Sequence, residues 1–244
     1  MTADGGVSFA PNLPWSDFPL GSTLRARFTG PVTVDNDANA AAWGEYRCGA
    51  GRSVRDTMVM LTVGTGVGGG LILSSRLLRG AGGMAGELGH IAVLEGGPRC
   101  ACGALGCLEA MASGTAIARE GREAVAGGRT TGALAALSPE EVTGKAVTVA
   151  AHAGDADAVA ILAEVGRWLG IGIASLIAAF DPEIVVLGGG AMQAGHLLLE
   201  PAIAAAGARL VGREHRPLAP IVAATLGDDA GLVGAALQAL GSTT

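Results

Sequence analysis

Aromatic side chains are nearly absent from this 244-residue, 24.0 kDa chain: Phe, Tyr and Trp together make up 3% of it. A core with so few rings is built from Ala, Val, Leu and Ile packed closely between helices and strands. Charge is also scarce, at 16% of residues, and 16 basic against 22 acidic side chains leave a net charge of −6. Lysine occurs once, at Lys145. The clustered cations of a nucleic-acid-binding surface are therefore missing. Apolar runs are broken by Gly, Arg or Asp before they reach the ~20 residues of a membrane span. Met1 to Gly6 lack the basic flank and apolar stretch of a secretory signal, so the expected location is the cytoplasm, with no membrane partner.

What the chain does have is small apolar residues and glycine. Half of it is apolar and 41 residues are Gly, which excludes intrinsic disorder and, without a G-X-Y period, excludes collagen. Its length suffices for one large domain or two small ones. Residues 1–30 are punctuated by proline and predict an irregular segment. A short strand is expected at Val32–Val34, then a helix capped from Asp35, Asn36 or Asp37 and stopped by Gly49 and Gly51. Thr57–Val63 predicts a buried strand, Gly64–Gly70 a turn, and Leu71–Leu73 a returning strand.

Residues 74–107 are long and aperiodic, and such a segment needs an organiser of its own. Helices are expected over Leu108–Ala126, from Ser138-Pro139, and over Asp155–Phe180 with a bend at Gly170 and Gly172. Strands at Glu183–Leu187 and Ile221–Thr225 alternate with helices at Leu197–Ala206 and Asp228–Leu240. This alternation describes a layered α/β sheet.

Three of the four cysteines, Cys100, Cys102 and Cys107, fall within eight positions, with His90 upstream. One imidazole and three thiolates form a complete tetrahedral set for Zn²⁺ with no open position, so such an ion would be structural. The alternative is three small buried cysteines and an unrelated core histidine. The run from Gly64 to Gly70 fits G-x-G-x-x-G at Gly64, Gly66 and Gly69, but no helix follows it as a dinucleotide fold requires. It reads as a hairpin whose N–H groups and Thr65 hydroxyl suit phosphate, or as an ordinary glycine turn. Gly188, Gly189 and Gly190 end a buried strand where α/β sheets place ligands. Asn36 and Asp37 sit between strand and helix, as functional groups or simply as an N-cap. Glu87 and Glu109 flank the cysteine loop and, with Asp37, could accept hydrogen bonds from sugar hydroxyls. His152, His196 and His215 have no motif context.

Taken together, the Val34–Ala40 corner, the Leu61–Gly69 hairpin, Gly86-Glu87-Leu88-Gly89-His90 and the Cys100–Glu109 segment resemble the ROK family (repressors, open reading frames and sugar kinases). The likeness is strongest to actinobacterial-type glucokinases and runs from about Ala10 to Leu240. The resemblance implies an actin-like ATPase, ribonuclease H-like α/β fold of two lobes. Residues 1–36 would be a remnant of the small lobe and residues 37–227 the large lobe, carrying a zinc loop over 87–109. Residues 228–244 would be a helix packing toward the small lobe.

The resemblance further implies transfer of the ATP γ-phosphoryl group, with Mg²⁺ carried by the nucleotide, to the 6-hydroxyl of glucose. Asp37 corresponds to the general base, and Asn12, Asn36, Glu87, His90 and Glu109 to hexose ligands. Gly64, Thr65, Gly66, Gly68 and Gly69 correspond to a phosphate hairpin, and Gly188, Gly189 and Gly190 to the adenosine corner. His90, Cys100, Cys102 and Cys107 correspond to zinc ligands, His90 using one ring nitrogen for the ion and one for the sugar. A homodimer or homotetramer is implied as well.

The chain departs from the family pattern at its start. Kinases of this kind open with a strand and a D-x-G-G-T phosphate loop, whereas Asp4-Gly5-Gly6 has no strand before it and no Thr after it. It reads as a loop, and weak turnover is expected of the chain as written, through truncation, a late start codon or natural loss. The alternatives are a kinase for another hexose, such as N-acetylmannosamine, N-acetylglucosamine or fructose, or a non-catalytic sugar-binding regulator or remnant. Polyphosphate is an alternative donor to ATP.

Overall fold

The run Met58–Val63 alternates two apolar faces. Val59, Leu61 and Val63 point one way and Met58 and Met60 the other, and all five are buried. A strand covered on both faces belongs at the centre of a sheet with helices on each side. The computed structural model, which describes residues 2, 4–10 and 14–241, has that arrangement.

The elements in chain order are β1 (Val7–Ala10), β2 (Trp15–Phe18), α1 (Leu20–Arg25), α2 (Asp37–Cys48), β3 (Met58–Val63), β4 (Val67–Leu73) and β5 (Arg76–Leu77). There follow α3 (Leu108–Ala112), α4 (Gly114–Ala126), α5 (Gly144–His152), α6 (Ala156–Phe180), β6 (Ile184–Gly188), α7 (His196–Arg209), β7 (Ile221–Ala223) and α8 (Ala230–Gly241). The main sheet has the order β5-β4-β3-β6-β7. β4 runs antiparallel to β3, from Met58 opposite Ile72 to Val63 opposite Val67, and β6 runs parallel to β3 with Val59 opposite Val185.

On one face Val59, Leu61, Val63, Val185 and Leu187 pack with residues of α3 to α7 in the larger core. On the other, Met58, Met60, Ile72 and Val186 meet Ala41, Ala42 and Ala230 of α2 and α8. The buried Glu45 carboxylate of α2 accepts from the N–H of Ala50 and of Leu226, both at 2.7 Å, and so fastens the segment leading into α8. α8 thus lies on α2.

Several expectations are corrected. Residues 7–10 and 15–18 are not irregular: β1 and β2 pair antiparallel, Val7 opposite Phe18, with Trp15 stacked on Phe18 at 4.7 Å. Val32–Val34 forms no strand, because no neighbouring strand pairs with it. β4 begins at Val67, so the turn is three residues and Gly68–Gly70 lie inside the strand. Ser113 caps α4 and divides the expected helix of 108–126 in two. From Ser138 only one 3₁₀ turn forms, closed by a capping box with Glu141.

α6 continues through Gly170 and Gly172, and the absent side chain of Gly170 lets it approach the backbone of α7 at Ala202. Its 25 residues are long and apolar enough to cross a bilayer by length and composition, which the broken runs do not suggest. It is instead the central core helix, with Leu162, Val165, Leu169, Ile173 and Ile177 all inaccessible.

Candidate functional site

Asn36 is the N-cap of α2: its Oδ1 accepts from the N–H of Ala38 at 2.9 Å and of Asn39 at 3.1 Å. Capping satisfies donors that have no partner within the helix. Asp37 is the first helical residue and is exposed, its Oδ1 also accepting from the Ala38 N–H at 2.9 Å. The corner is held from behind by Asp35, whose Oδ1 accepts from the Asn36 N–H at 2.9 Å and from Asn39 Nδ2 at 3.3 Å. Asn12 lies outside the described residues. Asp4-Gly5-Gly6 is a turn ahead of β1, where Arg25 donates to the Asp4 carbonyl at 2.7 Å.

The cysteine loop is organised by its own backbone. Bridges join Ala92 to Cys107 and Arg99 to Leu105, and the Cys100 N–H donates to the Ala104 carbonyl at 2.8 Å. His90 ends a 3₁₀ turn over Leu88–His90. The result gathers one ligand atom from each of His90, Cys100, Cys102 and Cys107 within 4.8 Å of one another. Cys102 Sγ and Cys107 Sγ are 3.7 Å apart, and Cys100 Sγ is 3.5 Å from His90 Nδ1. A tetrahedral ion with Zn–S of ~2.3 Å and Zn–N of ~2.05 Å requires edges of about 3.8 and 3.6 Å. Burial pushes the Cys100 thiol up to about 12 and raises Cys107, while the Ala104 N–H leads the groups that lower Cys102. The donor set therefore fits Zn²⁺: a divalent cation supplies the charge that burial denies to the thiolates.

The two ring nitrogens of His90 face different groups, Nδ1 the cysteines and Nε2 the exposed Glu87, whose Oε2 is 3.8 Å away. Glu109, in the first turn of α3, also has two neighbours. Its Oε1 accepts from Cys100 Sγ at 3.3 Å, and its Oε2 accepts from the Val67 N–H at 3.0 Å. His90, Glu87, Glu109 and the cysteines thus share one locality, and Glu109 extends it to the β3–β4 hairpin.

On the other side of that hairpin opens a cleft of about 540 Å³, with Gly64, Thr65, Thr115, Lys145, Gly190 and Gln193 in its wall. The Gly64 carbonyl accepts from the Gly114 N–H at 2.7 Å and the Thr65 carbonyl from the Thr115 hydroxyl at 2.7 Å, binding the turn to the start of α4. α5 starts at the same cleft behind its Thr143 cap. Two helix N-termini, a glycine turn and the chain's one lysine suit an anionic ligand. Lys145 carried no motif in the sequence; its solitude was the only available signal.

The glycine run divides in its surroundings. Gly66, Gly68 and Gly69 are not among the residues in the cleft wall. A side chain on Gly68 would meet Thr62 Oγ1 at 2.6 Å and Ala38 of α2, and one on Gly69 would meet the Gly86 carbonyl at 2.5 Å. Packing is reason enough for glycine at these two positions. Gly188 is a buried strand end, and Gly190 reaches the cleft. Gly189, at φ +89°, stands over the Val63 carbonyl, where a Cβ would come within 2.5 Å.

Residues 2–241 match the model of the ROK family. The chain is 44% identical over 234 residues to a glucokinase of Streptomyces coelicolor, covering 94% of this chain and 74% of that protein. It is 38% identical over 196 residues to a xylose repressor of Caldicellulosiruptor bescii, covering 80% and 49%. Among solved structures, a ROK family glucokinase from Streptomyces griseus in complex with glucose and AMPPNP superposes with a TM-score of 0.86 at 42% identity, covering 98% of this chain and 77% of that one.

Proposed function

The chain belongs to the ROK family, and from that premise we propose that it transfers the γ-phosphoryl group of ATP to the 6-hydroxyl of glucose. Its sheet and helices are those of the actin-like ATPase fold of ROK sugar kinases. The observation that carries the reading is the β3–β4 hairpin: Gly64 and Thr65 face the cleft, while Val67, two residues on, holds the carboxylate of Glu109 beside the His90–cysteine cluster. Donor and acceptor sites back onto one turn.

In this reading ATP, with its Mg²⁺, occupies the cleft. Gly64 and Thr65 approach its phosphates, Lys145 neutralises charge, and the Gly188–Gly190 corner takes the adenosine. Glucose sits against Asn36, Glu87, His90 and Glu109. As the 6-oxygen bonds to the γ-phosphorus and the bond to ADP breaks, the hydroxyl proton passes to the Asp37 carboxylate. Phosphoryl transfer has a loose transition state, so alignment and charge neutralisation dominate and late proton removal suffices. His90, Cys100, Cys102 and Cys107 would hold a zinc ion that would serve a structural role, and His90, with Nδ1 toward the ion, would keep Nε2 free for the sugar.

We place the enzyme in the cytoplasm, in keeping with a cysteine cluster arranged for metal and not for disulfides. We assign it a homodimer or homotetramer, for which Leu232 and Leu240 on α8, 72% and 67% exposed, offer apolar surface. The test is calorimetric titration with glucose, then ATP-dependent formation of glucose 6-phosphate, with polyphosphate, N-acetylmannosamine and N-acetylglucosamine as comparison substrates. Binding and phosphorylation of glucose are expected. Glucose binding without turnover by any donor points to a sensor, and failure to bind glucose ends the proposal.

A further inference from the structure

Gly66 belongs by motif with the phosphate donor, yet its surroundings belong to the acceptor side. A Cβ built on it runs into the Glu109 carboxylate, meeting Oε2 and, at 3.1 Å, Cδ. Its carbonyl is spent inside the hairpin, accepting from the Gly64 N–H at 2.9 Å. The N–H of the next residue, Val67, donates to Glu109 Oε2 at 3.0 Å. The cleft wall includes Thr65 and not Gly66. Any side chain at position 66 displaces the carboxylate from the N–H that orients it, because both groups occupy one face of the turn.

Resting on the assignment of Glu109 as a hexose ligand, we infer that Gly66 is a positioning residue for the acceptor site and not a contact of the nucleotide. Its bare backbone is the seat on which Glu109 rests. One consequence is mechanical. A hexose hydroxyl drawing on Glu109 is felt at the Val67 N–H, two residues from the Thr65 that faces the donor. Acceptor binding is thereby reported to the donor turn through one hydrogen bond.

The experiment uses the full chain and two separate titrations, glucose alone and AMPPNP alone, on wild type and Gly66→Ala. The variant is expected to lose glucose affinity roughly 10- to 100-fold, the range for a hydrogen bond to a charged group, and to keep its AMPPNP affinity. In turnover the same split appears as a raised KM for glucose at unchanged KM for ATP. Loss of AMPPNP affinity, with or without loss of glucose affinity, overturns the assignment, as does unchanged glucose affinity.

Should Gly66→Ala fail to fold, the wild-type protein labelled with ¹⁵N decides. Glucose without nucleotide is expected to shift the Val67 amide resonance, and a resonance that stays put while glucose binds overturns the inference. Wild type that binds no glucose overturns the functional proposal itself, an outcome distinct from wild type and variant binding equally well.

Discussion

Arg79 donates twice to a single oxygen of Asp35, from Nη2 at 2.7 Å and from Nε at 3.0 Å. The Asp35 side chain is 7% exposed, and its other oxygen orients Asn36 and Asn39. One buried carboxylate thus ties the loop after β5 to the corner that presents Asp37. Arg79→Ala leaves Asp35 without its cation, and the expected loss is about 1–3 kcal/mol of stability. For a chain of this size that is a melting temperature lower by several degrees. Arg79→Lys, able to supply charge but not the same pair of donors, should recover part of it. Thermal unfolding of the three proteins checks this, and equal melting temperatures would remove the pair from any positioning role.

Asp37→Asn keeps the size and the helix-initiating character of the side chain while removing its ability to take a proton. kcat is expected to fall by about 10²- to 10⁴-fold, the usual share of general-base help, with glucose affinity retained. Steady-state kinetics alongside glucose titration measure both quantities; a variant with near-normal kcat excludes Asp37 as the base.

Lys145→Ala should raise KM for ATP roughly tenfold, the loss of one charge-assisted contact, and leave KM for glucose unaltered. The helix that carries it begins at Gly144, is capped by Thr143 and does not need the lysine side chain, so melting temperature should hold. A glucose-side effect would move Lys145 out of the donor cleft.

Purification without chelator should yield one zinc per chain by elemental mass spectrometry. Cys100→Ser should lose the metal and unfold at lower temperature. Since the Cys100 thiol is pushed up to about 12 in the absence of an ion, metal binding must expel its proton. Acidification should therefore release zinc, which a chromogenic chelator can follow. Metal-free protein of undiminished stability would contradict the structural role.

Asp155 caps α6 and also accepts from the Leu134 N–H at 3.0 Å. Burial alone would raise its pKa, but the N–H groups of Leu134, Ala158, Asp157 and Ala133 outweigh burial and hold it below the ordinary aspartate value. With the folded value depressed, its contribution is complete above the unfolded value of ~3.9 and disappears as pH falls through the lower folded value. Asp155→Asn should flatten that part of the acid unfolding curve, and parallel curves for both proteins would refute it.

What could be read in advance followed from how locally each signal is encoded. β3 announced itself by its apolar residues, α2 by the cap candidate Asn36, α6 by the helical pattern from Asp155 to Phe180, and the cysteine cluster by its spacing. The division of the glycine run was not legible, since Gly64 facing the cleft and Gly68 facing Ala38 are the same residue type, and only the packing of α2 distinguishes them. The pairing of β1 with β2 is local, Ala10 lying opposite Trp15, but the prolines around it masked the signal, whereas the position of Lys145 at the cleft depends on contacts outside any sequence window. The hold of Arg79 on Asp35 spans 44 positions and has no motif at all.

α2 lies on β4 with almost nothing between them. A methyl added at Gly68 would come within 2.9 Å of Ala38 Cβ, and one at Gly70 within 3.0 Å of the Ala38 carbonyl. The helix bearing Asp37 and the strand emerging from the Thr65 turn are consequently mounted backbone on backbone, with no long rotatable side chain as a spacer. The spacing between the start of α2 and the Thr65 turn is then a fixed dimension of the scaffold, and under the proposed function adaptation to substrates of different bulk falls to the loop that carries Glu87 and His90.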